Sequence, residues 1–180
     1  MTRLLLLTLL LGIAPALADQ TGAEAVKTPA SATITGARTI ANWEGDPIGN
    51  VQVVYKDGTK DQWTLKGNAS NPKVFADGTV GWVLSPLAED GKTLDLYKNL
   101  PTFPRLRIVR AGKVLATLDA ERPFIEDWGF SDAGTFVIIK SRGAHGPAFV
   151  QRFRISDGSA QGRTPAFGDD LPGWAEPYAD

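Results

Sequence analysis

The chain holds one histidine, and it stands in the stretch richest in reactive groups, Lys140-Ser141-Arg142-Gly143-Ala144-His145-Gly146-Pro147. An imidazole titrates near neutral pH and can serve as a general base. The neighbouring guanidinium of Arg142 is a planar, multi-donor cation suited to carboxylates. Gly143, Gly146 and Pro147 shape a loop, and binding residues concentrate on loops held by rigid elements. Arg142 and His145 are therefore candidate binding residues for an acidic group on a ligand or partner. Ser141 adds a hydroxyl, which opens the alternative of a small hydrolase using His145. A Ser-His-acid triad needs an orienting acid that converges in space, and no G-x-S-x-G elbow is present. The plain alternative is a hairpin loop with no chemistry.

The other candidates are weaker. Glu126-Asp127-Trp128 offers two carboxylates beside an aromatic ring, as a glycosidase would use. Adjacent residues on a strand point to opposite faces, so the pair is expected not to converge and reads as exposed charge at strand ends. Asp169-Asp170 has the same difficulty. Trp43, beside Glu44-Gly45-Asp46, is the tryptophan most clearly in a loop and a candidate ligand-binding residue that could stack on a sugar. Trp63, Trp82 and Trp128 fall in apparent strands and are expected in the core. One histidine and no cysteine leave too few ligands for a zinc site, and the Asp-Gly turns lack the calcium-loop spacing. No phosphate loop or dinucleotide fingerprint occurs. We expect no metal, no cofactor and no catalytic residue, and we read the protein as non-enzymatic.

These residues must be positioned by strands. Asp-Gly recurs in Lys56-Asp57-Gly58-Thr59, Ala76-Asp77-Gly78-Thr79, Glu89-Asp90-Gly91-Lys92 and Ser156-Asp157-Gly158-Ser159. Arg110-Ala111-Gly112-Lys113 and Asp132-Ala133-Gly134-Thr135 are variants. Asp-Gly suits the two-residue type I′ hairpin, whose central residues both need positive φ. The flanking runs alternate with period two: Val51, Val53 and Tyr55 on one face, and Leu106 and Ile108 against Arg105 and Arg107. Phe149, Phe153 and Ile155 likewise oppose Arg152 and Arg154. Phe136-Val137-Ile138-Ile139 is apolar on both faces, which predicts a central strand covered on both sides. No segment carries a helical stripe. The sequence predicts an all-β fold, an antiparallel meander spanning residues 34–164, after a flexible lead at residues 19–33. A Pro-rich tail at residues 165–180 is expected to dock through Phe167, Trp174 and Tyr178.

The first eighteen residues carry an address. Arg3 precedes a leucine-rich run at residues 4–11, and Ala16-Leu17-Ala18 closes it. This is the pattern of a secretory signal peptide with an A-x-A cleavage site. We expect a periplasmic or secreted protein, soluble, with no membrane insertion once residues 1–18 are removed. The remainder carries a net charge of about −2 at neutral pH. It has no basic patch, which argues against a nucleic-acid partner. An envelope protein or a small ligand is the expected partner.

An internal repeat is also visible. The stretch at residues 75–85, beginning Phe75-Ala76-Asp77-Gly78-Thr79, aligns with residues 130–141, beginning Phe130-Ser131-Asp132-Ala133-Gly134-Thr135, if one residue is inserted. Each leads into a strand-turn unit, Leu106 to Gly112 and Phe153 to Gly158. Gly58, Gly112 and Gly158 are 54 and 46 residues apart, close to the ~40–50 residues of propeller blades. The pattern, aromatic-Ser-Asp-x-Gly then an apolar strand, a charged strand and Asp-Gly, resembles blades of WD40-like and TolB-like β-propellers over about two blades. That implies a partial propeller, a two-sheet stack or a sandwich, because the chain is too short for four full blades. Asp77-Gly78-Thr79-Val80-Gly81-Trp82-Val83 is similar to the closing strand of bacterial SH3-like cell-wall-targeting domains. This implies peptidoglycan or cell-wall glycan binding as an alternative to a protein- or ligand-binding module of the envelope.

Overall fold

Alternating Val, Ile and aromatic residues become strands wherever one of their faces is covered. A computed structural model of the chain describes residues 27–39, 46–85 and 104–180. The strands are β1 (Pro29–Arg38), β2 (Ile48–Tyr55), β3 (Lys60–Gln62), β4 (Ala69–Val74), β5 (Val80–Leu84) and β6 (Arg105–Arg110). They continue with β7 (Lys113–Asp119), β8 (Phe124–Ser131), β9 (Phe136–Arg142), β10 (Phe149–Arg154) and β11 (Ala160–Pro165). Every pairing is antiparallel. Seven strands form one sheet in the order β1-β2-β4-β5-β6-β7, with β3 beside β2, and four form the second in the order β11-β10-β9-β8. The fold is all-β, as the sequence predicts. Residues 1–18, Trp43 and the Asp90-Gly91 turn lie outside the described residues. Among the described residues no helix is long and apolar enough to cross a membrane.

The strands stack in layers separated by three apolar zones. Strand β2 pairs with β4 only at Gly49 and Ala69, and β1 packs near β4 although β2 stands between them in the sheet order. Strands two apart in a flat sheet lie near 10 Å, so the β1–β3 region folds over β4 and β5. Val51, Val53 and Tyr55 there meet Val80, Trp82 and Val109. The opposite face of β5–β7, with Val83, Leu106, Ile108 and Leu118, packs on Trp128, Val137, Ile139, Phe153 and Ile155 of the second sheet. Ile138 and Val150 point the other way, onto Ala166 and Ala175 of the C-terminal segment. Strand β9 is thus covered on both faces, as its run of four apolar residues requires.

Three details differ from expectation. Strand β1 begins at Pro29, ahead of Ile34, because Ser31, Ala32 and Thr33 pair with Val54, Val53 and Gln52; the alternation of β2 supplies the burial that the small residues of β1 lack. Trp63 follows β3 rather than lying in a strand, and its indole N–H donates to the Tyr55 hydroxyl at 3.0 Å. Within the tail, Trp174 and Tyr178 pack on the sheet, but Phe167 is 55% exposed.

The three described Asp-Gly turns are not type I′. Only their glycines have positive φ (Gly58 at 81°, Gly78 at 84°, Gly158 at 69°). Each aspartate instead accepts the backbone N–H two residues on: Asp57 from Thr59 at 2.9 Å, Asp77 from Thr79 at 2.8 Å and Asp157 from Ser159 at 2.9 Å. The carboxylate closes an Asx turn, which offers the aspartate a bond it would forgo in the left-handed region. The two-residue turn with both φ positive is Ala111-Gly112 (48° and 74°), between the paired Arg110 and Lys113.

Candidate functional site

Arg142 ends β9 beside Glu126 of β8. Glu126 is an extra residue in β8, since Ile125 pairs with Ser141 and Asp127 with Lys140. The bulge sets the Glu126 carboxylate 2.5 Å from Arg142 Nε and 3.9 Å from Lys140 Nζ. Asp127 binds Lys73 Nζ at 2.7 Å, and that ammonium lies 5.4 Å from the centre of the Trp128 ring. The two acids therefore stand inside β8 rather than at its end, and each serves a different basic partner. Beyond the strand, His145 is exposed. Ser141 is fully buried and its hydroxyl is unpartnered among the described residues, so it makes no hydrogen bond to the imidazole. Trp82 is buried against the β1–β3 layer, and Gly81 faces Trp128 so closely that an added Cβ would lie 2.5 Å from that ring. The Gly-Trp-Val stretch is therefore core. Among the described residues no three potential ligands gather to hold a metal ion.

A concave site lies elsewhere, between the outer face of β8–β10 and the C-terminal segment. This cleft of about 480 Å³ is lined by Phe130, Asp132, Ile138, Arg152, Trp174 and Tyr178, among others. Two glycines seat its roof. A Cβ at Gly129 of β8 would stand 2.3 Å from the Tyr178 hydroxyl oxygen, and one at Gly162 of β11 would stand 2.8 Å from the Trp174 ring. The segment is tied at both ends. The Ala166 N–H donates to Ala148 O, the Asp180 N–H donates to Ala166 O, and Lys140 Nζ donates to the Asp180 carboxylate. Burial, with the nearby charge of Asp127, raises the Tyr178 phenol to about 12, which holds it neutral under ordinary conditions.

The floor of the cleft carries an ion pair. Arg152 of β10 donates to Asp132, and its guanidinium lies 3.8 Å from the centre of the Phe136 ring. Asp132, Ala133 and Gly134 stand in succession at φ 49°, 53° and 80°. A left-handed non-glycine residue costs about 1–2 kcal/mol, and such conformations cluster at binding and catalytic sites. Surrounding contacts hold the turn: Thr135 N–H donates to Asp132 O, Ile155 N–H donates to Thr135 O, and the Phe75 ring lies against Gly134.

No motif in the sequence marks this cleft. Its visible traces were the residue inserted at Ala133 and the aromatic residues of a tail otherwise rich in proline. No family model matches the chain, and no curated protein shows significant similarity to it.

Proposed function

We propose that this chain is an exported, non-enzymatic binding module of the cell envelope, and that it holds its ligand in the cleft beneath its C-terminal segment. One observation carries the reading: a cleft of about 480 Å³, in the size range of small-molecule sites, with aromatic walls and one charged pair at a strained turn. The leader-like residues 1–18 support export. The consecutive four-stranded meanders β4–β7 and β8–β11, stacked face to face, favour a partial propeller, with the C-terminal segment covering the face on which a further blade would pack. The Arg142–His145 loop is then a secondary surface, with its arginine already engaged by Glu126.

The test is saturable capture. Purified protein is incubated with a fraction of the native envelope, and retained molecules are identified by native mass spectrometry. A stoichiometric ligand or partner that also shifts tryptophan fluorescence supports the reading. Turnover in a broad substrate screen, abolished by His145→Ala, would favour the hydrolase instead. Co-sedimentation with purified peptidoglycan, unaffected by cleft substitutions, would favour wall binding at another surface.

A further inference from the structure

We infer that the cleft selects a neutral ligand bearing a secondary amide next to an apolar or planar group, with the amide bridging Arg152 and Asp132. The inference rests on the cleft being the ligand site.

Three observations lead to it. The first is charge. Asp132 and Arg152 form a mutually neutralised pair, so a ligand carboxylate would meet Asp132 and a ligand cation would meet Arg152. Neither ion gains what it would from an unpaired partner. The second is unused hydrogen-bonding capacity. A guanidinium has five N–H donors and a carboxylate about four acceptor positions. Among the described residues, the Asp132 carboxylate accepts only from Arg152, through Oδ2, and Arg152 donates only to Asp132. The pair therefore offers a donor and an acceptor side by side. An amide matches that with its carbonyl on Arg152 and its N–H on Asp132. The third is preorganisation. The Phe136 ring supports one face of the guanidinium, and the left-handed turn fixes the backbone of Asp132, which lowers the ordering cost of binding. Phe130, Ile138, Trp174 and Tyr178 provide the apolar wall next to the pair.

An amide beside an apolar surface occurs in capped amino acids and, through the C–H face of the ring, in N-acetylated sugars. Both enter the test as probes, N-acetylphenylalaninamide and N-acetylglucosamine, together with N-acetylphenylalanine as the anionic control. Each is titrated into the intact protein by calorimetry. At least one neutral probe is expected to saturate, and N-acetylphenylalanine to bind about tenfold or more weakly than its amide. Arg152→Ala should weaken the neutral probe about tenfold or more. Asp132→Asn leaves a net positive site, and it should reverse the preference so that the carboxylate binds better than the amide. A merely structural Asp132 would show no such reversal. Circular dichroism and thermal unfolding establish that each variant is folded. The inference is overturned if neither neutral probe binds by about 10 mM. It is also overturned if the anion matches the amide on the wild-type protein, or if folded Arg152→Ala binds unchanged. Should the probes fail while the protein still takes a saturable envelope ligand, the amide inference falls and the binding-module reading stands. Failure of both tests removes both.

Discussion

The β4–β5 and β8–β9 turns are built from nearly the same residues, yet they do different work. Both place an aspartate after an aromatic residue at a strand end, and both aspartates reach an arginine two strands on. In the first turn Asp77 is consumed locally. It accepts the Thr79 N–H, and Arg110 Nη2 lies 2.5 Å from its carboxylate. Burial acts to raise its carboxyl, but the Thr79 bonds and Arg110 outweigh it, so it stays below the usual aspartate range. In the second turn the inserted Ala133 removes the geometry for self-capping. Asp132 becomes left-handed, and its carboxylate is left to the Arg152 pair at the cleft floor. One added residue thus frees an aspartate from capping its own turn. The turns also touch, since Phe75 heads the first and packs on Gly134 and Phe130 of the second.

The largest effect should come from breaking the contact between the two sheets. Gly81→Ala would drive a Cβ to 2.5 Å from the Trp128 ring and 2.7 Å from Ile108 Cδ1. Both neighbours are buried, so the overpacking is expected to cost about 3 kcal/mol, read by urea unfolding. A smaller effect should follow at the roof. Gly129→Ala meets the Tyr178 hydroxyl and should release the C-terminal segment while the sheets stay folded. Increased proteolysis after residue 165, with little change in the main unfolding transition, is the expected result.

The turns themselves should respond unequally. Asp77→Ala removes the Thr79 cap and a partner of Arg110, an expected loss of about 1 kcal/mol. Asp132→Ala, which breaks an exposed pair, should cost about 0.5 kcal/mol or less. Equal losses would mean that Asp132 is structural too. The pH dependence is smaller still and opposite at its two ends. Asp57, Asp77 and Asp157 are lowered in the folded state. Their contribution is fully present above about pH 4 and is lost as pH falls through their folded values. Tyr178 is raised to about 12 from an ordinary value of 10. Docking of the C-terminal segment is therefore retained below pH 10 and lost as pH rises toward 12. Phenolate absorbance that titrates as a free tyrosine near 10 would contradict the buried roof.

The double cover of β9 was legible because Val137, Ile138 and Ile139 leave no polar face. The turn positions were legible from Asp-Gly, but the turn type was not, because an Asx bond competes with the type I′ geometry. The start of β1 was hidden because Ala30, Ser31 and Ala32 become a strand only through their partners on β2. Of the candidate residues, Arg142 is engaged by Glu126 and His145 stands exposed. The cleft was hidden because it depends on two notches, Gly129 and Gly162, that meet two distant aromatic rings, and no periodicity records such a match. The insertion at Ala133 could be seen in the repeat, but its consequence is a set of φ angles.

Deleting Ala133 should make the two turns alike, because the β8–β9 turn then reads Asp-Gly-Thr, as the β4–β5 turn does. The measurement is calorimetric titration of the deletion variant with whichever neutral amide the wild-type protein binds. The expected result is a folded protein, no less stable because about 1–2 kcal/mol of left-handed strain is relieved, whose amide affinity falls about tenfold or more as Asp132 returns to capping its own turn. A folded deletion variant that binds the amide as tightly as the wild-type protein would contradict it.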